Sequence, residues 1–348
     1  MLKRILFAGL LAAPLLAGAA APRYTAQFLG PNASINLPWY INNSGMIAGT
    51  MGGKPYAYVD GQLQLLGSLG AANGAGQVTG LGEDGTVVGI ASDAARLQKA
   101  FKWQGGVMTN LDPATPVPSA AYGVNDLGQA VGVRNGTPAL FANGIIGTVR
   151  LPRNFVGSAI AINNAGQVAG HAQIDSGYNR AYFHQNGVAT VISNAQGFVH
   201  DISEAGTVTG HINNGAGVEG SQTAFKYRDG ALELLPDLGT VSYGWAVNAH
   251  DNIVGYYLPH GESQWPTGFL YTEGQSYRLD TLLDPALGYS VMHAYDINDS
   301  NQILAAGRTT RYGPDMLMLL TPVPEPGTWL MLSAGLALLA WTARRRRS

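Results

Sequence analysis

The chain contains no cysteine, which excludes disulfides, thiolate-held zinc, iron–sulfur clusters and thiol catalysis. Charge is scarce: Asp, Glu, Lys and Arg make up 12% of the 348 residues, about half the usual share. Basic residues are scarcer still in the body, where residues 22–323 hold 14 Lys and Arg against 21 Asp and Glu. A net charge of that sign excludes phosphate-backbone recognition, so no nucleic-acid partner is expected. Gly-x-Ser-x-Gly, His-Glu-x-x-His and P-loop patterns are absent, and the Gly-rich stretch Gly70 to Gly80 lacks a Lys for a phosphate. Long apolar runs occur only at the two ends. What the chain has in abundance is glycine, 47 residues, within a 46% hydrophobic composition. Many short strands joined by tight turns fit this composition; a helical bundle or a disordered chain does not.

One motif recurs: an aliphatic residue, a polar pair, any residue, Gly, any residue, aliphatic, any residue, Gly. Its seven copies begin at Ile41, Leu81, Val124, Ile162, Ile202, Val247 and Ile297, separated by 38 to 50 residues. Asn or Asp opens a turn by bonding its own backbone, and Gly then takes a positive φ, so each copy reads as a hairpin. In the last two copies Asp251 and Asn301 replace the middle Gly, and Ala305 replaces the final one; Asp and Asn tolerate that φ. The carboxylates in these turns lack calcium-loop spacing.

A second motif follows six of the hairpins, beginning at Pro55, Ala100, Pro138, Ala181, Ala224 and Gly268 and ending in a Gly-containing turn. Aromatic residues share one of its positions: Tyr58, Trp103, Phe141, Tyr227 and Tyr271, with His184 in the fourth unit. A further short strand, such as Leu63 to Leu66 or Leu232 to Leu235, completes each unit. Four strands, A to D, in roughly 40–45 residues is the blade period of a β-propeller. The seventh unit has no D strand, while Tyr24 to Leu29 stands unpaired before the first A strand. The N-terminal strand is therefore expected to close a seven-bladed, all-β ring.

The histidines yield no ligand set. His171 and His211 occupy matching positions in adjacent units, but the other units carry Thr50, Ile90, Val133, Tyr256 and Ala306 there. His200 shares a strand-A position with Trp39, Thr79, Tyr122, Ile160, Trp245 and Tyr295, which reads as packing between blades. No catalytic residue, metal or cofactor is expected. The longest B-to-C connection, Tyr256 to Thr267, carries His260, Glu262 and Trp265, and the matching loop of unit seven carries Arg308, Arg311 and Tyr312. Exposed aromatics beside Arg and Glu mark a candidate ligand-binding face.

Both ends carry export signals. Lys3 and Arg4 precede the apolar run Ile5 to Leu16 and the small residues Ala17-Gly18-Ala19, so residues 1–20 read as a signal peptide. At the other end Pro324-Glu325-Pro326 precedes an uncharged stretch, residues 327–343, and the cluster Arg344, Arg345, Arg346 and Arg347. Seventeen residues are just enough for a membrane span, and the arginines would remain on the cytoplasmic side. This tail, residues 323–348, resembles the PEP-CTERM sorting signal of Gram-negative bacteria. The resemblance implies recognition and cleavage by an exosortase, and association with exopolysaccharide and biofilm matrix. The units also resemble HAF-type extracellular repeats: Ala100-Phe101 and Ala224-Phe225 match the core, although Lys99 and Thr223 stand where those repeats have His.

Two functions are compatible with this organisation. One is a non-catalytic binding or structural propeller of the cell surface or matrix, anchored in the inner membrane with its body outside and then released, with a polysaccharide or surface protein as partner. The other is an envelope or secreted glycan-acting hydrolase or lyase, with its site on the loop-bearing face.

Overall fold

The fold is taken from a computed structural model that describes residues 21–31, 39–59, 61–151, 156–173, 177–213, 222–236, 238–260, 265–309 and 313–324. The expected signal peptide at residues 1–20, Glu262, Arg311, Tyr312, Glu325, Pro326, the stretch 327–343 and the terminal arginines fall outside these residues. No helix among the described residues is long and apolar enough to cross a membrane.

Seven antiparallel sheets of four strands each form the body. Blade 1 is a simple meander of strands Trp39–Ile41, Ile47–Met51, Lys54–Val59 and Gln62–Leu65. Blades 2 to 6 repeat it. The innermost A strands line a central channel, and the outermost D strands are largely exposed, as in Gln62–Leu65 and Ala231–Leu234. The core lies between blades, since each sheet is apolar on both faces and must cover them with its neighbours. One cluster joins Val131 and Val149 of blade 3 to Ala159, Val168 and Tyr182 of blade 4; another joins Ala169 of blade 4 to Val199, Val208 and Phe225 of blade 5. The Ala100-Phe101 and Ala224-Phe225 pairs are fully buried.

Blade 7 is built from both ends of the chain. Its sheet runs Tyr24–Pro31, Met316–Pro322, Ile303–Arg308, Ser290–Ile297. The expected closing strand pairs antiparallel with the last C strand, from Tyr24 opposite Pro322 to Pro31 opposite Met316, with one bulge between Phe28 and Gly30. One more hydrogen bond, from the Val323 amide to the Arg23 carbonyl at 2.7 Å, extends the seam.

The repeat's closing glycine is needed for close approach. In blades 2 to 6 strand A bulges at Thr79, Tyr122, Ile160, His200 and Trp245. The bulge pushes a strand-A carbonyl onto the paired strand B. A Cβ on Gly89, Gly132 or Gly210 would collide with the carbonyl of Gln77, Ala120 or Phe198 respectively. Blade 7 carries two bulges, around Met292 and Tyr295, and there Ala305 fits opposite Ala294. Blade 1 has no bulge across its short A strand: Trp39 pairs with Gly49 and Tyr40 with Ala48. This corrects one sequence expectation. Trp39 does not share the position of His200; it is buried among Ile47, Leu304 and Leu317, and Tyr40 faces the channel instead.

Lys99, which stands where the expected HAF-type repeat would have His, is 2% exposed. Its ammonium donates to the carbonyls of Asp112 and Val117 at 2.9 Å and to that of Thr115, folding the connection to blade 3 around a buried cation. Asp112 balances the charge and also binds Arg134 at 3.0 Å.

The seam generates a test. Removing residues 22–30 strips Tyr24 and Phe28 from the last blade and opens a strand edge, at a cost of at least about 3 kcal/mol for the lost aromatic burial alone. A chain beginning at Pro31 should melt well below one beginning at Pro22 in calorimetry; equal melting temperatures would mean that the ring does not need this strand.

Candidate functional site

The polar pair of the hairpin motif does more than turn the chain. Its first residue is Asn42, Asn125, Asn163, Asn248 or Asn298 in five blades. In each, Oδ1 accepts the amide four residues on, at 2.9–3.1 Å, and pins the turn. The Nδ2 of the same side chain donates to a carbonyl of the next blade: Asn42 to Gly82, Asn125 to Asn163, Asn163 to Ser203, Asn248 to Asn298, and Asn298 back to Asn42, at 3.0–3.1 Å. Only an amide side chain can accept and donate in this way.

The second residue of the pair forms a parallel ring at the channel mouth. The Asn43 amide donates to Glu83, that of Glu83 to Asp126, Asp126 to Asn164 and Asn164 to Glu204, at 2.7–3.2 Å. Ala249 donates to Asp299 at 2.8 Å and Asp299 to Asn43 at 2.7 Å, closing the circle. The junction between blades 5 and 6 lacks both links, because Ser203 has no side-chain amide to donate across it and Ala249 offers no side-chain oxygen. Other bonds serve there. Asp201 Oδ2 accepts the Val247 amide at 2.8 Å. Asp251 takes Lys226 at 2.9 Å, Arg228 at 2.8 Å and the Thr207 hydroxyl. Asp251 holds φ at 63°, so the residue that replaced the turn glycine supplies the missing bridge. Asn301 does likewise, accepting Asn248 and Asn252 at 2.8 and 2.7 Å.

The channel has a volume of about 480 Å³, and its lining includes Glu83, Asp126, Asp201, Glu204, Asp296 and Asp299 but no Lys or Arg among the described residues. Sequence reasoning missed Asp201 and Asp296. The available signal was the position before the motif's first aliphatic residue, which is Gly or Ala in blades 2, 3, 4 and 6 and Asp only in blades 5 and 7. Asp296 accepts the amides of Ile41 and Ile297 at 2.7 and 2.8 Å, binding blade 7 to blade 1. Burial pushes the Asp201 carboxyl up to about 6, against the pull of the Val247 and Ile202 amides. Burial, reinforced by the charge of Asp201, holds Asp296 well above the usual carboxylate range. Burial and then the same two charges raise the Tyr40 phenol.

Toward the other end of the channel a band of rings crosses blades 4 to 7. Phe198 lies between His171 and His211, at 4.9 and 5.2 Å, so the two histidines do not form a direct pair. His211 Nδ1 instead meets His200 Nε2 at 3.0 Å, and His200 packs on Trp245 at 4.4 Å. Tyr243, Tyr256 and His293 continue the band with spacings of 4.7, 4.9 and 4.4 Å. Burial lowers His171, His211 and His293 each to about 4, with the His171 charge adding to the effect at His211.

At this same end, on the loop-bearing face away from the carboxylate mouth, the structure brings together two residues of the candidate ligand surface. Trp265 is 44% exposed, and the Arg308 guanidinium lies 4.9 Å from its ring centroid. Arg308 is paired with Asp315, which fixes this bridge between blades 6 and 7. His260 is exposed in the same connection. Pro324 is exposed directly beyond the seam.

Residues 322–347 match the PEP-CTERM protein-sorting motif, which implies exosortase-dependent sorting of an exported, membrane-associated protein. No curated protein matches the chain. Among solved structures, the chain is similar to the extracellular domain of a protein named as a one component system from B. thetaiotaomicron, at 11% identity and a TM-score of 0.52, over 87% of this chain and 40% of that one. It is similar to a puromycin hydrolase at 13% identity and a TM-score of 0.51, over 78% and 50%. A protein named as TolB from Agrobacterium tumefaciens aligns at 12% identity and a TM-score of 0.45, over 88% and 100%. The chain spans half or less of the length of the first two, and the likeness to them shows the fold alone.

Two outcomes follow from this geometry. Asn298→Ala removes the buried bridge between blades 7 and 1, leaves the Asn42 carbonyl with the Gly45 amide as its one donor and strips the acceptor from the Gln302 amide, so chemical denaturation should show a loss of about 1–3 kcal/mol. The histidine band also sets a pH dependence. Between pH 6.5 and about 4 the unfolded chain takes up protons at His171, His211 and His293 that the folded chain resists, so their contribution to stability falls as pH falls. Asp201, raised in the fold, acts in the opposite direction below about pH 6. His171→Phe should therefore lose less stability than the parent between pH 7 and 4.5 in thermal melts; identical slopes would remove His171 from the account.

Proposed function

We propose that this chain is an exported, non-catalytic propeller, delivered and then trimmed through its C-terminal tail, that serves the cell surface or extracellular matrix as a binding or structural module. The observation that carries this reading is the junction between body and tail. The sorting motif begins at residue 322, the last residue of the C strand on which the N-terminal strand closes the ring. All seven blades are complete by that point, so the tail can be removed without taking a strand with it.

In this reading residues 1–20 direct export, the body 22–322 folds outside the inner membrane, and the stretch 327–343 with Arg344 to Arg347 holds the chain in the bilayer until an exosortase cuts near Pro324-Glu325-Pro326. Proline disfavours helix at and just before its own position, so a Pro-Glu-Pro sequence suits presentation to a peptidase. The ligand side is the loop-bearing face. Trp265 presents an exposed ring, braced by Arg308, of the kind that stacks on sugars. This supports a polysaccharide of the surface or matrix as the partner. The channel carboxylates Asp201 and Asp296 are already engaged by backbone amides, which supports a structural role for them.

Mass spectrometry of protein from the outer surface of a host with an exosortase should find a C-terminus near residues 323–327; an intact Ser348 would leave a plain tail anchor. For the purified body, Trp265→Ala should weaken polysaccharide co-sedimentation about fivefold, equivalent to about 1 kcal/mol. Release of new sugar ends from the polysaccharide would replace this reading with that of a glycan-acting hydrolase or lyase.

A further inference from the structure

The tail and the mature N-terminus leave the propeller at one place, and the strand register shows on which face. Ile297, the last residue of the final A strand, pairs with Ile303, the first residue of its B strand. Ile303 in turn pairs with Leu320. Leu320 therefore lies level with the A–B turn, and Pro322, opposite Tyr24, projects past it by two residues, roughly 7 Å. Both chain ends emerge on the turn face, where Glu83, Asp126, Glu204 and Asp299 ring the channel mouth. The B–C connections, with Trp265 and Arg308, lie at the other end of strands about 20 Å long.

The tether is also short. The Val323 amide is bonded to the Arg23 carbonyl at 2.7 Å, so the last fixed point of the fold is four residues from Gly327, where the membrane stretch begins. Four residues reach at most about 14 Å, too little for a seven-bladed body to turn over.

We propose that the seam fixes the orientation of the propeller on the membrane, with the acidic turn face toward the lipid headgroups and the B–C loop face outward. This rests on the reading of the tail as a membrane-held sorting segment. The face turned to the lipid carries carboxylates around its mouth, so anionic headgroups repel it and the body stands off the surface instead of lying on it. The loop face is thereby free to meet a ligand while the chain is still anchored, before any cleavage.

The absence of cysteine makes the test clean. Ala165, exposed in the A–B turn of blade 4, and Ala95, exposed in the B–C connection of blade 2, are each replaced by Cys in the purified full-length chain and labelled with a fluorophore. The labelled chains are reconstituted into phosphatidylcholine vesicles containing a minor fraction of nitroxide-headgroup lipid. The label of Ala165→Cys should be quenched several-fold more strongly than that of Ala95→Cys. A flexible spacer of about 30 residues between Val323 and Pro324, with an r.m.s. span of about 30 Å, should bring the two labels to similar quenching. Equal or reversed quenching in the parent chain, with the protein floating with the vesicles, would overturn the orientation and leave the sorting reading intact. Failure of the full-length chain to float with vesicles at all would overturn both.

Discussion

A backbone amide at the start of the A–B turn has no acceptor within its own hairpin, and at six of the seven junctions the next blade supplies one. The rest of the ring depends on that requirement being met around the circle. Asn43, Glu83, Asp126, Asn164, Ala249 and Asp299 each donate to the side chain that follows in the ring, so each turn is completed only when its neighbour is in place. Inside this ring the asparagines from Asn42 to Asn298 repeat the arrangement with buried carbonyls. Hydrophobic packing between sheets supplies most of the driving force, but it is non-directional. The polar rings set the angle and spacing of the blades.

The exceptions follow the same physics. Where Ser203 and Ala249 remove both links, Asp201 and Asp251 reach across the junction between blades 5 and 6. Where a turn glycine is lost, its replacement holds the positive φ and gains a partner in another blade. The cost of burying Asp201 and Asp296 shows in their raised protonation, and it is offset by two amide hydrogen bonds to each. The carboxylate-lined channel of this propeller is thus built chiefly from groups that hold the blades to one another.

The seven-fold count, the strand order and the closure by Tyr24–Pro31 were legible because period, turn glycines and a missing final strand leave marks in a single sequence. The bridging role of the polar pair was not, since Asn and Asp also form turns within one hairpin. Glu83 and Glu204 were the available clue: Glu is a poor turn residue but a long acceptor. Trp39 was misplaced because a β-bulge adds a residue that a motif alignment cannot see. Asp201 and Asp296 went unremarked because their position is Gly or Ala in four of the other five blades and Tyr40 in the first. Of the loop face, Trp265 and Arg308 were legible as residues of corresponding loops in units six and seven, while their contact depends on side-chain conformations that spacing does not specify. The tail was legible as a linear signal, and it matches the PEP-CTERM motif over residues 322–347.

If the six turn links, with Asp201 and Asp251 bridging the junction between blades 5 and 6, hold the blades as one unit, the links should open together. Native-state hydrogen exchange of the A–B turn amides tests this directly. Asn43, Glu83, Asp126, Asn164, Ala249 and Asp299 sit in exposed or half-buried turns, where unbonded amides exchange fast. The account predicts that all of them exchange as slowly as the buried strand-B amides, with one common opening free energy. The Glu204 amide, which faces Ala249, should exchange quickly and serve as the internal control. Fast exchange at each turn, with a different opening energy in each blade, would contradict the claim that the polar ring unites the fold.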